Sequence, residues 1–329
     1  MKLIDLENHF FDSCVPEAMT RRTTPPVYNK ETDVITWYEG IQMPVGRIMP
    51  ALLETGEGRI KLMDEQGIDM AVLSCAPGPE SFDVATSIEV CHATNKALFE
   101  LTKKYPERYL GSAILPVKDI DASLLELEKC VKEYGFVAWH THSNYGDTYP
   151  DDLQYRPLFK KAAELGVYVY LHPQLTDNPR FKGFGFGLAG PALGFTVDTM
   201  TTITRLVLSG IFDEIPELTV FLGHLGEALP FLLDRMDNRT RLIKTDPIKC
   251  EKDLSYYFKK NIMVTVSGNM SKEAFQCTKD VLGIERICFG SDHPFENAAD
   301  MVDFVKRLEL TDTERKLLYQ DNAMALINK

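Results

Sequence analysis

From Gly67 onward the chain repeats one unit: a short apolar run, then a longer amphipathic stretch that glycine or proline brings to an end. Residues 70–73, 109–115, 136–140, 167–171, 219–222, 262–266 and 287–289 read as strands, and 3–10 supplies one more at the start. Residues 59–66, 84–105, 121–134, 153–165, 196–209, 227–244 and 272–282 read as helices, with 297–308 and 312–326 closing the chain. Strands that alternate with helices need crossover connections, so they lie parallel and the helices cover the sheet. Eight such units within 329 residues predict an α/β fold, a (β/α)₈ TIM barrel with insertions. An open doubly wound sheet is the alternative, but no Gly-x-Gly-x-x-Gly follows the first strand, so a dinucleotide site is not supported.

No break in composition divides the chain, so residues 1–329 are read as one barrel domain. Residues 12–57 form an irregular stretch rich in Pro, Thr and Gly, expected as an insertion or lid after the first strand. A second Gly-rich loop is expected over residues 178–194.

Charge and cysteine content narrow the partners. The net charge of −12 argues against nucleic acid or an acidic membrane surface. No run of about 18 apolar residues is present, so no membrane span is expected. The seven cysteines include no Cys-x-x-Cys pair and are odd in number, which fits a reducing cytoplasm. Met1 to Asp5 opens without a long apolar segment, so no signal peptide is expected and the location is read as cytoplasmic.

Chemistry in a parallel barrel gathers where strands end. Glu7 and His9 lie two apart on the first strand, so both side chains face the lumen. His172 ends the fifth strand, His224 the sixth, and Asp292 follows the last. Two carboxylates at one buried focus repel unless one holds a proton or a cation lies between them. Two imidazoles with two carboxylates suit Zn²⁺, Mn²⁺ or Fe²⁺ better than Ca²⁺. His224 and Glu227 form a second unit, with Glu227 expected at a helix start where the dipole favours its charge. Arg235, eight residues further, lies about 12 Å along that helix, too far for its own site but within reach of a neighbouring subunit's. His140 and His142 follow the fourth strand as rim histidines, His92 reads as structural, and His293 is expected to point away from Asp292.

These motifs resemble the amidohydrolase-related decarboxylases, the group that contains γ-resorcylate, 2,3-dihydroxybenzoate and aminocarboxymuconate-semialdehyde decarboxylases. Leu222-Gly223-His224-Leu225-Gly226-Glu227-Ala228-Leu229-Pro230-Phe231 carries the resemblance, as does Phe289-Gly290-Ser291-Asp292-His293-Pro294-Phe295-Glu296-Asn297. Pro294 to Asn297 and Arg235 to Arg239 are most similar to the hydroxybenzoate branch, although Glu7-Asn8-His9 stands where that branch has Glu-Glu-His.

The resemblance implies an amidohydrolase-like barrel that binds one divalent ion, Zn²⁺ or Mn²⁺, through Glu7, His9, His172 and Asp292, with no organic cofactor. It implies Asp292, His224 and Glu227 as catalytic residues. Arg235, from across a subunit interface, and Phe295 would bind substrate in a dimer or tetramer. The activity it implies is non-oxidative decarboxylation of an ortho-hydroxy aromatic acid, with Asp292 protonating the ring carbon and the ring itself acting as electron sink. The same ligands would serve a hydrolase acting on a lactone, ester or amide, and a non-catalytic metal-binding protein is the third reading.

Overall fold

The computed structural model describes residues 1–243 and 247–328. Strand β1 (Ile4–Phe10) opens the fold. A helix (Cys14–Arg21), an antiparallel sheet of β2 (Val27–Asn29), β3 (Val34–Tyr38) and β4 (Ile41–Pro44), and a helix (Ile48–Leu53) follow it. The βα rhythm continues through β5 (Met70–Cys75), β6 (Tyr109–Ala113), β7 (Ala138–His142), β8 (Tyr168–His172), β9 (Val220–Leu222), β10 (Ile262–Thr265) and β11 (Ile287–Cys288). These seven and β1 form one sheet in the order β1-β5-β6-β7-β8-β9-β10-β11, with every pairing parallel. The last strand returns to the first: Leu6 N–H donates to Phe289 O at 3.1 Å, Asp292 N–H to Glu7 O at 2.8 Å, and His9 N–H to His293 O at 2.7 Å. The alternation expected from the sequence is thus a barrel, not an open sheet.

Two apolar layers hold it. Leu6, Val72, Ala138, Tyr168, Phe221 and Cys288 fill the lumen, and Ala323 and Leu326 of the last helix (Asn322–Ile327) pack against them. Between barrel and helices lies a larger layer that includes Phe10, Leu73, Trp139, Leu171 and Phe289. Phe10 belongs to the outer layer and Leu6 to the inner, as strict alternation forbids for even-numbered neighbours on one strand. A register shift between Asp5 and Asn8 explains this: it switches the parity of β1, so that Glu7 and His9 face inward above Leu6.

The insertion differs from the irregular stretch expected. Ile35 and Trp37 alternate inward on β3, and Ile41, Val45, Met49 and Leu52 are buried with them, which orders short strands between the turn residues. The Gly-rich loop likewise contains a 3₁₀ turn (Pro179–Phe181) and a short helix (Phe186–Ala189). A helix at Leu254–Asn261 was not anticipated, and β7 runs on to His142. The helix expected over 227–244 spans Leu229–Thr240, since Pro230 sets its first turn; Lys244 lies outside the described residues. Among the described residues, no helix is long and apolar enough to cross a membrane.

Candidate metal centre and active site

At the C-terminal rim of the barrel, one ligand atom from each of Glu7, His9, His172 and Asp292 lies within 4.8 Å of the others, and all four residues are buried. Glu7 Oε1, His9 Nε2 and Asp292 Oδ1 have no hydrogen-bond partner among the described residues, although His9 Nε2 stands 3.1 Å from Asp292 Oδ1. Buried polar atoms are normally satisfied, so this convergence fits a divalent cation.

The remaining atoms of these side chains are held from behind. His9 Nδ1 meets Ser74 Oγ at 3.1 Å, His172 Nδ1 faces Pro173 O at 2.8 Å, and Thr265 Oγ1 donates to Glu7 Oε2 at 2.6 Å. A donor at Nδ1 leaves Nε2 as the free lone pair, which orients an imidazole for a metal. Burial, with the neighbouring imidazoles His9, His140, His142 and His224, holds His172 well below the usual imidazole range, so it presents a neutral ring. Burial alone would raise the Asp292 carboxyl, but the His224 and His9 imidazoles beside it hold it below the usual range.

Two glycines make room for Glu7. A Cβ on Gly223 would lie 2.9 Å from Glu7 Oε1, and one on Gly290 would lie 2.6 Å from the Thr265 side chain and 3.0 Å from Glu7 Cβ. Asp5, below, accepts from Ser291 N–H at 2.9 Å, Ser291 Oγ at 2.5 Å and Asn8 Nδ2 at 2.9 Å, joining the first and last strands. Burial pushes its carboxyl up to about 6 against those bonds.

His224 and Glu227 meet as expected, Nδ1 to Oε1 at 2.9 Å, and His224 Nε2 points at Asp292 Oδ2, 3.8 Å away. Burial opposes charge on His224, yet Glu227 and Asp292 hold its pKa well above the usual imidazole value. The dipole argument for Glu227 fails: at φ 59° and ψ −137° it lies outside the helix. Its charge is met by His224 and by Thr196 Oγ1, which donates at 2.6 Å. His224, Leu225, Glu227 and Asp292 are all non-glycine residues with positive φ, a conformation that clusters at functional sites.

Phe295 lies beside the ligands, 5.4 Å from the His9 ring, and lines the cavity above them. Arg235 is not brought to this site: it is exposed on the helix Leu229–Thr240 and does not line the cavity. His293 is not among the four converging residues, and His92 pairs with Glu126 at 3.1 Å across two helices, in keeping with a structural role. His142 lies level with His172 on the neighbouring strand and His140 one step below, level with Tyr170, and the three histidines could form a ligand group of their own. His142 is paired with the buried Glu80, and neither ring nitrogen of His140 has a hydrogen-bond partner among the described residues. Sequence reasoning missed Ser74, Thr265, Gly223 and Gly290; the period-two pattern of β10 could have placed Thr265 in the lumen.

The amidohydrolase family profile matches residues 4–329. The chain is 35% identical over 286 residues to γ-resorcylate decarboxylase of Rhizobium sp. (strain MTP-10005), which covers 84% of this chain and 88% of that protein. Among solved structures, 2,6-dihydroxybenzoate decarboxylase complexed with 2,6-dihydroxybenzoate superposes with a TM-score of 0.84 at 32% identity, covering 100% of both chains. Dihydroxybenzoic acid decarboxylase from Polaromonas sp. JS666, with bound manganese and the inhibitor 2-nitroresorcinol, has a TM-score of 0.86 at 30% identity, covering 99% of this chain and 97% of that one.

Proposed function

The chain belongs to the amidohydrolase family, and we propose that it is a metal-dependent carboxy-lyase that removes CO₂ from an ortho-hydroxy aromatic acid without oxidation. The observation that carries this reading is a family match running from residue 4 to residue 329, which takes in every ligand and the His224–Glu227 pair of a site whose relatives are decarboxylases.

Glu7, His9, His172 and Asp292 would hold one divalent ion, manganese or zinc, with manganese favoured by the Polaromonas relative and by the two carboxylates. When bound, the ion supplies positive charge to the substrate carboxylate and its neighbouring phenolic oxygen. Asp292, ionised at rest, takes up a proton from His224 and transfers it to the ring carbon that bears the carboxylate. The C–C bond then breaks, CO₂ departs, and the ring regains aromaticity. His224, with Nε2 3.8 Å from Asp292, supplies that proton, and Glu227 fixes its tautomer. Phe295 packs on the substrate ring.

Arg235 acts across a subunit interface in a homo-oligomer. Phe231, four residues before it on the same helix face, is 81% exposed, and an exposed aromatic there suits a subunit contact. The enzyme works in the cytoplasm, where its seven unpaired cysteines stay reduced. Assay of a hydroxybenzoate panel in D₂O tests the activity. Decarboxylation puts deuterium at the vacated ring carbon and no solvent oxygen in the product; product that gains oxygen from labelled water would instead establish a hydrolase.

A further inference from the structure

We infer that the preferred substrate is an ortho-hydroxyaryl acid with a large apolar substituent, not a small hydroxybenzoate; this rests on the decarboxylase reading and names its substrate class. The cavity over the ligands has a volume of about 410 Å³. That lies in the range of roughly 300–1,000 Å³ that encloses drug-sized ligands, whereas a dihydroxybenzoate has only about eleven non-hydrogen atoms.

Polarity is divided within the cavity. His172, His224, Glu227 and Asp292 supply its polar floor at the barrel rim, and Gln174, Thr196, Asn269 and Glu296 are the other polar side chains that line it. Ile35, Trp37, Met43 and Val45 of the insertion form one wall, and Phe186 and Phe195 come from the loop and helix after β8. Among the described lining residues there is no Lys or Arg. A second carboxylate or a phosphate packed against the Ile35, Trp37, Met43 and Val45 wall would lose its hydration without gaining a counter-charge from this chain. An alkyl chain or second ring would exchange water for apolar contact. The insertion, ordered by its own small sheet, is therefore a specificity element.

The test compares 2,6-dihydroxybenzoate with 2-hydroxy-4-pentylbenzoate and 2-hydroxy-6-pentylbenzoate on the metal-loaded enzyme. At least one pentyl acid is expected to show kcat/KM about tenfold or more above that of 2,6-dihydroxybenzoate. Met43→Trp, on the edge strand β4, should lower kcat/KM for that acid about tenfold more than for 2,6-dihydroxybenzoate; Ile48→Phe offers the same comparison if the first variant does not fold. Equal or better turnover of 2,6-dihydroxybenzoate would overturn the inference and leave the decarboxylase reading intact. Quenching of Trp37 fluorescence by a pentyl acid, absent in Trp37→Phe, with no CO₂ from any acid, would support the apolar specificity while removing the decarboxylase reading.

Discussion

Arg59 donates from Nη1 to Asn8 Oδ1 at 2.6 Å and to His9 O at 3.1 Å, directly behind the strand whose inner face carries Glu7 and His9. It also reaches Ala51 O, and at 2% exposure it is one of the largest fully buried side chains. Burial pulls its pKa down to about 10. The guanidinium thus joins the shifted register of β1 to the end of the insertion. Arg59→Met should cost about 3 kcal/mol in stability, because it leaves buried acceptors unpaired. It should also weaken metal affinity at least about tenfold, since support behind ligands is lost. Urea unfolding and metal titration read the two effects; an unchanged metal affinity would detach Arg59 from the site.

Metal removal should act on stability as well as on turnover. Without a cation, Glu7 and Asp292 face each other across the buried focus. Chelation should abolish CO₂ release and lower the melting temperature. Restoring Mn²⁺ at a hundredfold excess over its Kd should return about 2.7 kcal/mol. Asp292→Asn, which keeps one oxygen donor, should bind metal weakly yet remain inactive. A chelated protein that melts at the holoenzyme temperature would argue against a cation at these four residues.

The barrel and the convergence of Glu7, His9, His172 and Asp292 were legible in the sequence because both follow from local periodicity. Strand period two put Glu7 and His9 together, and strand ends put His172, His224 and Asp292 at one rim. What was hidden depends on contacts between distant segments. The register shift in β1 begins at Asp5, which accepts hydrogen bonds from Ser291, 286 residues away. Arg59 looked like the first residue of an ordinary helix and is a buried clamp. Glu227 looked like a helix-start carboxylate, yet the left-handed Leu225 and Glu227 hold it in the turn before the helix. The insertion was read as irregular because its strands are only three to five residues long, too short for alternation to stand out among Pro and Gly.

Arg235 has no ion pair or hydrogen bond among the described residues, and it lies on the exposed face that also carries Phe231. If it completes a neighbour's site, Arg235→Ala should raise KM at least about tenfold while leaving metal content unchanged. Mixing that variant with Asp292→Asn subunits should restore part of the activity, since one mixed site then has both groups intact. Absence of any recovery in verified mixed oligomers would place Arg235 outside the substrate site.

Asp198 gives a pH-dependent prediction away from the ligands. Its Oδ2 accepts from Ser143 Oγ at 2.5 Å and Asn144 Nδ2 at 2.8 Å, and Ser143 Oγ in turn accepts from Gln174 N–H at 3.0 Å. The helix Gly194–Leu208 is thereby tied to the loops that follow β7 and β8, and β8 delivers His172. Burial raises the Asp198 carboxyl above its ordinary value, against the bonds from Ser143 and Asn144. The folded state therefore holds this proton more tightly than the unfolded chain. The group's contribution to stability is full below the unfolded value, near pH 4, and declines as pH rises through the higher folded value. Asn in its place keeps an oxygen that can accept both bonds and has no charge to bury. The stability of Asp198→Asn relative to the parent should therefore improve as pH rises from about 4 to 7, read from urea midpoints at each pH. A relative stability that falls over that interval would mean that the ionised carboxylate, through its two charge-assisted bonds, is the form the fold prefers.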